Sequence, residues 1–143
     1  MWQFEHTENT TATAQQIWTL YADPARWHEW DEGITHVSLE GPFAPGTTGR
    51  IKPKGGPSLR FVLAEVTPGK SFTDATTLPL ARVRFAHHIA ATPTGNAVTQ
   101  RVWFTGPLAA MFARWMGRSM VADMPATMRR LLQVAESADQ ASV

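Results

Sequence analysis

Apolar and polar positions alternate from the start of the chain. Trp2, Phe4 and His6 fall on one side and Gln3, Glu5 and Thr7 on the other, the period-two signature of a strand over residues 2 to 8. Thr13 and Gln16 form a capping-box pair, and Ile17, Trp18, Leu20 and Tyr21 supply the apolar face of a short helix behind it. Asp23-Pro24 interrupts that helix and opens a second short one carrying Arg26, Trp27, His28 and Trp30. Proline suits a first helical turn because its missing N–H would find no partner there anyway.

Period-two patterning then returns and persists. A strand is predicted over 34–40, with Ile34, His36 and Ser38 opposite Thr35, Val37 and Leu39. The glycine- and proline-punctuated run 41–49 turns into a basic strand around Arg50, Ile51 and Lys52. Further strands are predicted over 58–66, 71–77, 82–91 and 97–105, separated by Pro68-Gly69, Pro79 and Thr94-Gly95-Asn96. Within them, Val83, Phe85, His87 and Ile89 share one face, as do Val98, Gln100, Val102 and Phe104. Successive strands joined by short turns imply an antiparallel meander.

The period changes at Gly106-Pro107. From Leu108 to about Ala138 apolar residues recur every three or four positions, through Met111, Phe112, Trp115, Met116, Met120, Met124, Met128, Leu131 and Val134. A helix of that extent spans roughly 46 Å. Pro125 lies inside it and is expected to kink or divide it. Its apolar stripe needs a surface of matching size, and the curved sheet is the only one available. The predicted class is α+β: a strand, two short helices, a curved antiparallel sheet of about seven strands in total, and one long C-terminal helix packed across it.

Composition narrows the reading. The 143 residues fit one domain, 1–143. With no cysteine, disulfides, thiolate metal sites and a cysteine nucleophile are excluded. No apolar run reaches the ~20 residues of a membrane helix, and the N-terminus Met-Trp-Gln-Phe-Glu-His has no signal-peptide pattern, so a cytoplasmic protein without stable membrane insertion is expected. Net charge is +1, but unevenly placed: residues 1–48 hold seven acids and one base, residues 49–130 twelve bases and three acids. Such asymmetry can steer an anionic ligand to one face. The bases are isolated and accompany no nucleic-acid motif, so no nucleic-acid partner is expected. Hydrophobic residues make up 43% and charged residues 17%, which leaves apolar side chains to line a cavity or an oligomer interface as well as fill a core.

Chemistry-bearing residues are few. His87 shares the inward face of its strand, and histidine is the side chain whose ordinary titration lies closest to neutrality. Parity also turns Gln100 inward and leaves Arg101 and Trp103 outside. Asp74 shares parity with Phe72 and Thr76, and as a buried acid it needs a partner, for which Arg84 or Arg60 is the candidate. His87, Gln100 and Asp74 are therefore the candidate catalytic residues. His28, Glu29, Asp31 and His36 match no metal-ligand spacing, and the adjacent His87 and His88 point to opposite faces, so neither a metal nor a cofactor is expected. A ligand cavity between sheet and helix would be lined by Trp18, Trp30, Phe61, Phe72, Phe85, Val102, Phe104, Phe112, Met116, Met120 and Met124. Methionines adapt to variably shaped apolar partners.

Four segments resemble one known family. Asp23-Pro24 through Trp27 and Trp30 is similar to its D-P-x-x-W-x-x-W element, and 40–49 to its glycine-rich turn. Residues 62–70 resemble its strand ending in Pro-Gly, and Phe104-Thr105-Gly106-Pro107-Leu108 its lead into the last helix. The family is the START-like, or SRPBCC, helix-grip superfamily, in its polyketide cyclase/dehydrase and lipid-transport-like group. The resemblance covers about residues 3 to 138 and implies the helix-grip fold. The family's members include aromatic polyketide cyclases and lipid binders; the methionine-aromatic stripe over a sheet cavity, with few polar groups placed for chemistry, leads us to expect binding of a hydrophobic small molecule, such as a lipid, an aromatic or a polyketide-like compound. The alternatives are a cyclase/dehydrase-like enzyme using His87, Gln100 and Asp74, or an interaction role by self-association, with Trp2 and Trp103 in an outward patch suited to a homodimer. The sole tyrosine, Tyr21, lies in the first helix, a departure from the acid of the family's cyclases.

Overall fold

A computed structural model describes residues 2–141; the expected domain limits, 1 and 143, lie outside the described residues. Strand β1 (Trp2–Thr10) leads through helix α1 (Ala14–Tyr21) and a 3-10 helix (Pro24–Glu29) into β2 (Ile34–Leu39), β3 (Thr48–Pro53), β4 (Leu59–Thr67), β5 (Ser71–Leu78), β6 (Ala81–Thr92), β7 (Gly95–Thr105) and helix α2 (Ala109–Ala141). The seven strands form one antiparallel sheet in the order β1-β7-β6-β5-β4-β3-β2. Strands β2 to β7 are thus the predicted meander, and β1 closes it by pairing with β7. The result is an α+β helix-grip fold, with α2 packed across the inner face of the curved sheet.

Local chemistry accounts for the short elements. The Thr13 hydroxyl accepts from the Gln16 N–H, and the Gln16 side chain accepts from the Thr13 N–H, which completes the capping box. Pro24 occupies the first turn of the 3-10 helix. With three residues per turn, that helix places Trp27 and its C-cap Trp30 on one side. The Trp27 indole N–H donates to the Tyr21 carbonyl at 3.0 Å and ties the two helices together.

Helix α2 reaches the sheet closely at one point. A Cβ on Gly117 would lie 2.9 Å from the Trp2 indole, so only glycine lets that ring seat against the helix. Trp2 also packs edge-on against Phe104, with ring centres 5.5 Å apart. It therefore points inward, and the outward patch expected of Trp2 and Trp103 is not formed: parity with Phe4 turns Trp2 to the core side. Trp103 faces out, with the Arg101 guanidinium 4.7 Å above its ring.

Two further expectations are corrected, and the one for Pro125, a kink or a division, loses its second half. A register shift between Ile34 and His36 moves Ile34 to the side of Val37 and Leu39, because a bulge inverts facing beyond it. Pro125 does not divide α2, which runs through it without a break. Proline removes only the one bond its N–H would have given to Val121, a residue at the solvent side. The stripe also loses two members to solvent: Met111 is 51% and Trp115 75% exposed.

Candidate functional site

Helix α2 leans on β1, β7, β6 and α1. Beneath the other half of the curved sheet a cavity of about 470 Å³ remains. Its sheet wall is built by inward positions of β2 to β7, among them Ile34, Ile51, Phe61, Phe72, Val83 and Phe85. Met116, Met120 and Met124 face them from α2, and Trp27 and Trp30 from the 3-10 segment. Trp115 stands at the rim.

The expected lining residues divide in two. Trp30, Phe61, Phe72, Phe85, Met116, Met120 and Met124 border the cavity. Trp18, Val102, Phe104 and Phe112 do not. Trp18 packs edge-on against Phe43 and Phe72, at 5.8 and 6.2 Å between ring centres. Val102, Phe104 and Phe112 are buried in the core, on the side where α2 covers the sheet.

Phe72 organises the inner wall. It stacks on His87 at 4.1 Å and 12° and on Trp27 at 5.9 Å and 28°, and meets Tyr21 and Phe43 edge-on at 5.0 and 5.1 Å. His87, Asp74 and Gln100 all border the cavity. His87 and Gln100 are direct neighbours across β6 and β7. The His87 Nε2 lies 3.6 Å from the Asp74 carboxylate, both groups being buried. The partner expected for Asp74, Arg84 or Arg60, is replaced by this histidine. Arg84 alternates to the other face and donates to Thr105, and Arg60 is exposed beside Phe61.

Among the described residues, three buried polar atoms of this ring cluster have no protein partner: the Tyr21 hydroxyl, the Trp30 Nε1 and the His87 Nδ1. The Tyr21 ring centre lies 6.0 Å from Trp30 and 5.2 Å from His87. Burial pushes the Tyr21 phenol above its ordinary pKa, which keeps it neutral.

Asp31 and Asp123 at the cavity wall are not among the candidate site residues of the sequence, where Asp31 enters only in a group that matches no metal spacing. A signal for Asp123 was present: Ser119, Asp123 and Thr127 recur at four-residue spacing, each just before a methionine of the stripe, and so form a polar row at its edge. Asp31 carried none, since it follows a short helix in an irregular segment. Burial raises the Asp31 pKa; the Gly33 N–H bond at 2.9 Å and His87 oppose the shift, while Asp123 and Glu32 add to it. A carboxyl with a raised native pKa stabilises the fold below its ordinary range, and that contribution is lost as pH rises through the raised value. Asp31→Asn, which keeps the acceptor for Gly33, is therefore expected to be more stable than wild type near neutral pH. In urea titrations at stepped pH the gap should close toward about pH 3, below the carboxylate range; a gap that widens on acidification would refute the assignment.

Among the described residues, no group of three or more His, Asp or Glu is placed to hold a metal, and no helix is long and apolar enough to cross a membrane.

The fold has counterparts. Protein MLL2253 from Mesorhizobium loti shares 18% identity at a TM-score of 0.75, with 95% of this chain and 98% of that one covered. Protein NE0264 from Nitrosomonas europaea shares 12% at 0.74, covering 96% of each chain. The di-domain ARO/CYC StfQ from the steffimycin biosynthetic pathway shares 16% at 0.77; 99% of this chain aligns with 52% of StfQ, about half its length. No curated protein matches the sequence. Residues 1–136 match the family described as polyketide cyclase / dehydrase and lipid transport. Fold and family together support a general role in binding hydrophobic ligands. Matched over nearly its whole length, the chain belongs to this polyketide cyclase/dehydrase and lipid-transport family of the START-like, helix-grip superfamily.

Proposed function

We propose that the protein binds a hydrophobic small molecule in the cavity between the curved sheet and α2. The observation that carries this reading is the space of about 470 Å³ walled by aromatic rings and three consecutive-turn methionines. Small-molecule sites span roughly 300–1,000 Å³ and combine an apolar wall with a few polar groups. Methionine side chains let such a wall adjust to its guest.

A second reading, an enzyme acting on that molecule, rests on the buried Asp74–His87 pair with Gln100 beside it. A histidine held by a carboxylate is a competent general base, and a neighbouring amide can stabilise developing oxyanion charge. One experiment addresses both. Native mass spectrometry of gently purified protein is expected to show a copurified apolar molecule that denaturation releases. Failure to retain any apolar compound, either copurified or from an added panel of naphthyl derivatives, would overturn the binding reading. Prolonged incubation should return a bound compound unchanged. Conversion by wild type but not by His87→Ala would favour the enzyme.

A further inference from the structure

The cavity has a sign of charge opposite to that of the chain. Thirteen lysines and arginines outnumber twelve acids in the sequence, yet among the described residues three carboxylates, Asp31, Asp74 and Asp123, border the cavity and no lysine or arginine does. Strand alternation is the cause: Arg50, Lys52, Arg60, Arg82, Arg84 and Arg101 occupy the outward positions between inward apolar ones. The strand bases of that half of the chain thus face away from the cavity that its inward residues line.

The three acids are not equivalent. Asp74 has His87 beside it. Among the described residues neither Asp31 nor Asp123 forms an ion pair, although Arg130 pairs with Glu32, the neighbour of Asp31, and Arg129 with Glu8. Among the described residues the Asp31 carboxylate accepts only the Gly33 N–H. It lies half-buried next to Trp30, on the segment that also supplies Trp27, while Asp123 faces the cavity from α2.

A separate observation points to a polar partner deeper in. His87 is 5% exposed, borders the cavity, and leaves Nδ1 without a partner. Its Nε2 faces the Asp74 carboxylate at 3.6 Å, which leaves Nδ1 as the ring nitrogen open to a further partner; in the tautomer that carries the proton on Nε2, Nδ1 is an acceptor. An unpartnered ring nitrogen and two carboxylates outside any ion pair, Asp31 beside the Trp30 indole and the exposed Asp123 at the cavity's edge, match an N–H-bearing cation, which is attracted to both carboxylate charge and aromatic quadrupoles.

Building on the binding reading above, we propose that the ligand is an apolar molecule carrying a basic amine, held with its ammonium toward Asp31 and Asp123. A fatty acid or other carboxylate would meet like charge on desolvation and is selected against.

The test is calorimetric titration with three near-isosteric probes, 2-(1-naphthyl)ethylamine, 2-(1-naphthyl)ethanol and 1-naphthylacetate, at neutral pH and low salt. The amine is expected to bind about tenfold or more tighter than the alcohol, one such step being a factor of ten in Kd. The carboxylate should bind weakest. In Asp31→Asn/Asp123→Asn the amine-to-alcohol affinity ratio should fall toward one, and the ratio is read only on protein with a wild-type circular dichroism spectrum. Single variants serve if the double one does not fold. An alcohol that binds as tightly as the amine, or a carboxylate that binds best, overturns this proposal and leaves the binding reading standing. An amine preference that survives removal of both acids also overturns it. If none of the three binds, the proposal fails together with the binding reading for this class of guest.

Discussion

Phe72→Ala is expected to lower the free energy of unfolding by about 3–5 kcal/mol, the usual cost of truncating a buried aromatic. Phe72 is fully buried, and its ring touches those of Tyr21, Trp27, Phe43 and His87 as well as Trp18. Truncation removes the transfer free energy of the ring and the aromatic contacts with it. The neighbours come from α1, the 3-10 helix, the 41–49 turn and β6, so no single element can move in to fill the hole. A domain stable by about 5–15 kcal/mol would lose a large share of that margin. Urea unfolding measures the loss directly. Phe72→Leu retains much of the volume and should cost appreciably less. A cost for Phe72→Ala no larger than that of Phe72→Leu would show that the ring cluster does not depend on Phe72.

Met120→Trp is expected to separate stability from binding. Met120 lies at the middle of the methionine row, half-buried, with its side chain on the cavity wall. In a close-packed core the larger indole would cost about 1–3 kcal/mol through overpacking. Beside about 470 Å³ of unfilled space it can turn into the cavity instead. Stability should change by less than about 1 kcal/mol, within the range of well-tolerated swaps. Affinity for a naphthyl alcohol should fall by about 100-fold, or ~2.7 kcal/mol, because the indole occupies the guest's place. Paired urea unfolding and titration check this. Strong destabilisation with unchanged affinity in the folded protein would remove Met120 from the binding wall.

The two classes of expectation fared differently for a physical reason. Val83, Phe85 and His87 were correctly placed on the inner face because strand alternation is local. The Thr13–Gln16 cap was legible for the same reason, as it lies within four residues of chain. The breaks at Pro24 and Gly106-Pro107 likewise mark real element boundaries. By contrast, Phe104 and Phe72 look alike in sequence, each aromatic and inward, and both are fully buried, yet only Phe72 also borders the cavity. The difference lies in where α2 crosses the sheet, and no local pattern records that path. The bulge after Ile34 is similar: one inserted residue inverted a facing that simple alternation had assigned.

What the chain determined by itself, then, was its elements, their order, and the inward or outward sense of most strand residues, because these follow from periodicity, capping and turn chemistry over a few neighbours. The folded arrangement alone decided which inward residues fill the core and which border open space. It gave Asp74 a histidine partner rather than an arginine, because cross-strand register and face parity set that choice together. It also placed Asp31 and Asp123 on one cavity while turning the strand bases outward. That charge pattern arises between segments some ninety positions apart, where only the packing of helix against sheet brings residues into each other's field.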